Sequence, residues 1–276
     1  MNMDANQLSR KTVEILREIR KRQPLVHHIT NFVVMNSTAN VTLAVGASPI
    51  MAHAHEEMEA VSGFSSTLNL NIGTLTRHWI DSMIMAGKAA GAAGTPIILD
   101  PVGSGATPLR TRAALKILEE VPVSIVRGNA SEIMSLFAGT EDIKIRGVDS
   151  LEMVDSVRAG AHRLAAKLRK VVAVTGEIDF VSNGDMALEV LNGHPMFGRV
   201  TGTGCAATAV ISCFAAVEPD PLVAAAAALG YYGLAGEEAA RMSNGPGSFQ
   251  VALYDALYNL SEDVMIEKLR IRPVCE

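Results

Sequence analysis

Apolar positions along this 276-residue chain follow two recurring patterns. Short continuous runs of Val, Ile and Leu alternate with longer segments in which apolar residues return at helical spacing. The runs predict strands over 25–30, 48–52, 96–100, 124–127 and 171–175, and apolar–polar alternation predicts another over 67–72. The helical pattern predicts helices over 33–45, 76–93, 109–120, 130–138, 151–168, 205–217, 220–241, 246–259 and 261–268, with 261–276 reading as a peripheral helix. Residues 1–23 read as a charged amphipathic helix. Asn183-Gly184-Asp185 separates strand-like runs at 180–182 and 186–191, a strong hairpin signal. Strands that are apolar throughout are buried on both faces, and the crossovers between such strands are helices. The pattern therefore predicts an α/β fold, a three-layer α/β/α arrangement around a mostly parallel central sheet. With no internal repeat or low-complexity linker, residues 1–276 read as one domain.

Composition narrows the function classes. A net charge of -5 and a pI near 5.8 argue against non-specific nucleic-acid binding, which needs a basic face. Cysteines at 205, 213 and 275 are odd in number and form no disulfide framework, which points to a reducing cytoplasm. The N-terminal segment lacks the apolar centre of a signal peptide. No charge-free apolar run reaches the roughly 18–20 residues that a membrane span requires.

In open parallel sheets, ligands sit beyond the carboxyl ends of the strands. The predicted strand ends place Asn31, Met51, 71–73, Asp100, 127–132 and 175–177 on one rim, together with the loop 200–205. That loop, Val-Thr-Gly-Thr-Gly-Cys, carries Gly202, Thr203 and Gly204 into Cys205 and a small, apolar helix. Glycines let backbone N–H groups approach a ligand, and the helix start adds unpaired donors and a positive dipole end, so the loop suits an anion such as phosphate. The same field is expected to favour a thiolate at Cys205.

Asp100 ends a strand and could hold Mg²⁺, which takes few protein carboxylates and keeps several waters. Asn129 and Glu132 have the spacing of a capping box; with Asp100 on the preceding strand they also form a candidate Mg²⁺-phosphate platform. Arg127 could reach a phosphate, and Thr175-Gly176 suits either phosphate contact or a plain turn. His27 and His28 are adjacent on a strand, so they face opposite ways and are poor joint ligands. His53 and His55 could share a face, but with Glu56 and Glu57 they read as a solvated loop rather than a zinc site. The chain has no P-loop, no G-x-G-x-x-G after its first strand and no G-x-S-x-G elbow.

A late Gly-x-Gly anion loop, a strand-end Asp and an N-x-x-E resemble the ribokinase-like superfamily. Within it, seven blocks in order resemble the hydroxyethylthiazole kinase family: HHITNFVVMN at 27–36, ASPIMAHAHEEM at 47–58, NLNIGTL at 69–75, LDPVGSGAT at 99–107, VRGNASE at 126–132, VTGEIDF at 174–180 and VTGTGC at 200–205. The resemblance implies phosphorylation of the alcohol of 4-methyl-5-(2-hydroxyethyl)thiazole by ATP with Mg²⁺, in thiamine salvage. It also implies a homotrimer with active sites between subunits. It assigns Met51 and Gly202 to the thiazole, Arg127 and Thr175 to ATP, and Asp100 and Glu132 to Mg²⁺, with Asn31 as a further substrate-side residue. Most of the superfamily ends the glycine motif in Asp; Cys205 is a departure typical of the thiazole kinases. In the mechanism this suggests, residues 202–205 hold the transferring phosphoryl and Cys205 accepts the hydroxyl proton. The alternatives are another ribokinase-like small-alcohol kinase, such as a hydroxymethylpyrimidine type, or a non-catalytic metabolite-binding relative. More distant alternatives are an acyl transferase using Cys205 as nucleophile and a metal hydrolase built on His53 and His55.

Overall fold

Local signals start and stop the elements. In the computed structural model, which describes residues 3–141 and 150–274, Asp4 accepts the Gln7 N–H at 2.8 Å and the Gln7 side chain accepts the Asp4 N–H at 2.9 Å, a capping box that opens α1 (Ala5–Arg22). There follow β1 (Leu25–Ile29), α2 (Met35–Val45), β2 (Ser48–Ile50), α3 (Met58–Phe64), β3 (Thr67–Asn71), α4 (Arg77–Ala92), β4 (Ile97–Asp100) and α5 (Pro108–Glu120). The chain continues through β5 (Ile125–Asn129), α6 (Ala130–Glu141), α7 (Ser150–Leu168), β6 (Val171–Thr175), β7 (Asp179–Ser182) and β8 (Ala187–Val190). It closes with α8 (Thr203–Ala215), α9 (Pro221–Arg241), α10 (Pro246–Asn259), α11 (Glu262–Lys268) and β9 (Ile271–Pro273).

The strands form one nine-stranded sheet in the order β2-β1-β3-β4-β5-β6-β7-β8-β9. Pairs from β2 to β6 are parallel; β6 to β9 are antiparallel. Side chains alternate across the sheet and feed two cores. Val26, Ile98, Ile125, Val171 and Ala173 pack with α1, α2 and α8 to α10. Leu68, Leu70, Ile97, Leu99, Val126 and Val172 pack with α3 to α7 on the other face. The fold is a ribokinase-like α/β/α arrangement, and its parallel section puts the carboxyl ends of β1 to β6 on one rim. No described helix is long and apolar enough to cross a membrane.

Two features differ from the sequence reading. The predicted helix over 261–276 ends at Lys268, and residues 271–273 pair with β8 as an edge strand. Three residues are too few to show a period, and the pairing is held from outside: Arg272 Nε and Nη2 donate to the buried Glu189 at 2.9 and 2.7 Å. Cys275 lies outside the described residues. Helix α3 went unrecognised because its seven residues include Gly63 and Ser62; burial of Met58 and Val61 sustains it.

His27 and His28 do face opposite ways, and both are buried. His27 Nε2 meets the Ala52 carbonyl at 2.9 Å. His28 Nε2 meets Thr42 Oγ1 at 3.1 Å, and Asn69 Nδ2 lies 3.0 Å from its Nδ1. Burial lowers His28 to about 3, and the neighbouring His27 adds to the shift. The unfolded chain takes up this proton near the ordinary value of 6.5, so the stabilising effect is complete above 6.5 and is lost as pH falls toward 3. Urea midpoints measured from pH 7.5 down to 5 should therefore fall, with His28 accounting for up to ~1.4 kcal/mol per pH unit below its unfolded value. A folded His28→Gln protein should show a shallower decline; an equal slope would assign the effect to other groups.

Candidate active site

The rim is built around one carboxylate. Asp100, the last residue of β4, is completely buried. Its Oδ2 accepts Asn71 Nδ2 from the end of β3 and Thr208 Oγ1 from α8, each at 2.8 Å. Arg127 Nη1, from β5, approaches the same oxygen at 3.8 Å. Oδ1 is buried with no partner. Burial raises Asp100 to about 6, opposed by Arg127 and the two hydrogen-bond donors and reinforced by Glu132.

Arg127 is also buried. Its Nη2 donates to Thr175 Oγ1 at the end of β6, and its Nε has no partner. On its far side the guanidinium lies against Gly204: a Cβ there would sit 2.9 Å from Nη1. Gly202 precedes α8 with φ +85°, a left-handed conformation, and no side chain caps this helix. The sequence thus leaves the first N–H groups of α8 facing the rim beside a cation, an arrangement that accommodates an anion.

The anion loop is braced from behind. Thr203 Oγ1 donates to the Phe197 carbonyl at 2.8 Å, and Tyr232 Oη donates to the Thr203 carbonyl at 2.9 Å. Phe197 stacks on Tyr232 and fits onto α9 where Gly236 leaves room; a Cβ there would lie 2.2 Å from the ring. Gly233, one turn earlier, similarly admits the Asn192 backbone at 2.3 Å.

Asn31, just past β1, donates through Nδ2 to Asn71 Oδ1 at 2.8 Å and to Cys205 Sγ at 3.5 Å. Glu132 and Asn129 form the capping box: Glu132 N donates to Asn129 Oδ1 at 3.0 Å, and Asn129 N to Glu132 Oε2 at 2.8 Å. Glu132 Oε1 accepts the Gly103 N–H at 2.8 Å, tying the turn after Asp100 to the start of α6. The structure thus joins Asn31, Asp100, Arg127, Thr175 and Cys205 through side-chain contacts, with Gly202, Thr203 and Gly204 at the loop and Glu132 beside it. Met51 lies on the same rim, past β2 at the sheet edge.

The thiolate expectation for Cys205 is corrected. Burial raises its thiol to about 11, and the Asp100 charge adds to this; the amides of Asn71 and Asn31 and the Arg127 cation oppose the shift without overcoming it. Helix-end polarity is outweighed because the sulfur sits near a carboxylate in a dry site. His53 and His55 also do other work. The His53 ring stacks on Trp79 at 4.1 Å and His55 pairs with His78 at 3.9 Å, and no metal-ligand cluster occurs among the described residues.

Three contributors were missed in the sequence. Thr208 stands one helical turn after Cys205, a spacing that would have placed both on one face. Arg110 donates to the carbonyls of Ile72, Val102 and Gly73 at 3.1, 2.7 and 2.7 Å, joining two rim loops; nothing local marks it. Asp179 accepts the Gly176 N–H at 2.9 Å and is raised to about 7 by burial.

The fold is ribokinase-like, and its glycine loop lies late in the chain at a helix start rather than in an early P-loop. The hydroxyethylthiazole kinase family model matches residues 16–263, and the chain belongs to that family. It is 70% identical over 272 residues to a hydroxyethylthiazole kinase of Desulfosudis oleivorans, covering 99% of each chain. The structure of hydroxyethylthiazole kinase from Pyrococcus horikoshii superposes with a TM-score of 0.89 at 43% identity, covering 96% of this chain and 99% of that one. A ribokinase-like superfamily protein from Enterococcus faecalis, at 14% identity and a TM-score of 0.64 over 90% of this chain and 95% of its own, shares the fold.

Cys205 should react slowly with iodoacetamide at pH 7.5, and the rate should rise about tenfold per pH unit toward 11, because the thiolate is the nucleophile. Mass spectrometry of the Cys205 peptide would measure this. Fast labelling at neutral pH would restore the thiolate reading.

Proposed function

We propose that this kinase transfers the γ-phosphoryl group of ATP to the alcohol of 4-methyl-5-(2-hydroxyethyl)thiazole, giving the monophosphate for thiamine salvage. The observation that carries the reading is the uncapped start of α8 facing Arg127 and the free oxygen of Asp100, in a chain so similar to enzymes named for that substrate.

Phosphoryl transfer is mostly positioning and charge stabilisation. The N–H groups of 202–205 hold phosphoryl oxygens in a preorganised anion site. Arg127 and Thr175 bind the nucleotide, while Met51, Asn31 and Gly202 line the thiazole side. Asp100 and Glu132 are the residues that would hold Mg²⁺. The fit is reasonable: Asp100 Oδ1 is a buried hard donor without a protein partner, and Glu132 carries a second carboxylate, both of whose oxygens already accept backbone N–H groups. When bound, the metal neutralises charge on the phosphate oxygens. Cys205 stands beside the alcohol, and its thiolate form, a small fraction at neutral pH because burial holds the thiol up at about 11, accepts the proton late, as a loose transition state allows. The protein acts as a single domain. Phe32 and Val33, exposed beside Asn31, support a trimer with sites between subunits, and the free thiols of Cys205 and Cys213 suit the cytoplasm.

The deciding experiment is mass spectrometry of the thiazole incubated with protein, ATP and Mg²⁺, with a metal-free control and hydroxymethylpyrimidine as a competing alcohol. A metal-dependent thiazole monophosphate is expected; phosphorylation of the pyrimidine alone would redirect the substrate assignment. Cys205→Ala should lower turnover by up to about 10²-fold. Because the thiolate fraction grows as pH rises toward 11, wild-type turnover should increase from pH 7 to 9 and the variant's should not. A common pH profile would remove the base role. Gly204→Val should abolish turnover while leaving thiazole binding, measured calorimetrically, much less affected.

A further inference from the structure

Asn71 is completely enclosed, and its side chain takes part in three hydrogen bonds. Its amide oxygen accepts the Gly73 N–H at 3.0 Å and Asn31 Nδ2 at 2.8 Å. With the oxygen engaged twice, Nδ2 must point the other way, and it donates to Asp100 Oδ2 at 2.8 Å. Asn31 is fixed in the same manner. Its oxygen accepts the Val33 N–H at 3.1 Å, which turns its Nδ2 toward Asn71 and Cys205. Backbone donors therefore set the direction of both amides, and neither can flip without breaking hydrogen bonds at both ends. The result is one connected network: Asn31 Nδ2 donates both to Cys205 Sγ and to Asn71 Oδ1, and Asn71 Nδ2 donates on to Asp100 Oδ2.

We propose that Asn71 is a positioning residue for phosphoryl transfer: it holds the Asp100 carboxylate and the Asn31–Cys205 pair in one frame, so that the phosphate side and the alcohol side of the site are aligned by a single side chain. The inference rests on the reaction proposed above. Thr208 is its one-sided counterpart, since its hydroxyl reaches only Asp100 Oδ2 and its carbonyl accepts Ser212 Oγ within the helix. Together Asn71 and Thr208 occupy one oxygen of Asp100 and leave Oδ1, buried as it is, without a protein hydrogen-bond partner.

The two residues make different predictions. Thr208→Val removes one hydroxyl and keeps the volume. It should raise the Mg²⁺ concentration for half-maximal rate by roughly tenfold, the value of one hydrogen bond to a charged group. The calorimetric Kd of the thiazole, measured without nucleotide or metal, should stay within about twofold of wild type. Asn71→Ser cuts the network at its middle. It should raise both the Mg²⁺ requirement and the metal-free thiazole Kd by about tenfold each, and lower kcat further than Thr208→Val does.

A purely structural Asn71 would lower Tm in Asn71→Ser and leave both quantities at wild-type values, which would overturn the proposal. If wild-type protein neither binds nor phosphorylates the thiazole, the proposed reaction fails and this proposal fails with it; a working wild type with an indifferent Asn71→Ser fails the proposal alone. Should Asn71→Ser not fold, a double-mutant cycle of Asn31→Ser and Thr208→Val carries the test. Their effects on kcat/KM should depart from multiplicativity by more than about twofold, as members of one network do, whereas simple multiplication would overturn the proposal.

Discussion

Removing a carboxylate from water costs several kcal/mol unless donors replace the lost hydration. Asp100 sits where β4 ends between β3 and β5, beneath α8, and each of those neighbours supplies a group: Asn71, Arg127 and Thr208. Two of these groups connect the rest of the rim. Arg127 leads to Thr175 and Gly204; Asn71 leads to Asn31 and from there to Cys205. The residues assigned to nucleotide, metal and alcohol are therefore parts of one solution to the burial of one charge. The donors favour ionisation of Asp100, but they do not restore it fully, and its proton affinity stays above that of a solvated aspartate.

Much of this arrangement could be read from residues in order. The apolar runs gave β1 and β4 to β6, and the alternation over 67–72 gave β3, each to within a residue or two, because apolar runs and strict alternation both have clear limits. Parallel pairing then forced their carboxyl ends to one side, which is why Asn31, Asp100, Arg127 and Thr175 could be grouped before any contact was known. Short or edge elements were less legible. The three residues of β9 have no period of their own, and their place is set by Glu189 and β8, more than eighty residues earlier. Arg110 was invisible for a related reason: its role lies in three carbonyls contributed by distant turns.

Cys205 shows where local reasoning fails in kind. The sequence near it contains only features that stabilise negative charge: glycines, a helix start and no acidic side chain. What holds its thiol up is first the burial that the fold imposes and then the Asp100 carboxylate 105 positions away. Helix-end effects are modest and short-ranged, whereas desolvation acts in full once the chain packs. The local sequence shows the features that favour a thiolate at Cys205 but not the burial that raises its thiol.

The two bare positions on α9 have a different implication. A glycine inside a helix lowers its intrinsic stability by about 1 kcal/mol relative to alanine, and replacing such glycines is a standard way to raise heat tolerance. At Gly233 and Gly236 that route is closed, because the missing methyl groups are what allow the Asn192 backbone and the Phe197 ring to approach, and Phe197 in turn holds Thr203. Helix strength has been exchanged here for the height of the anion loop. Variants selected for hotter conditions would have to gain their stability on the outer surface, leaving this helix as weak as the chemistry above it demands.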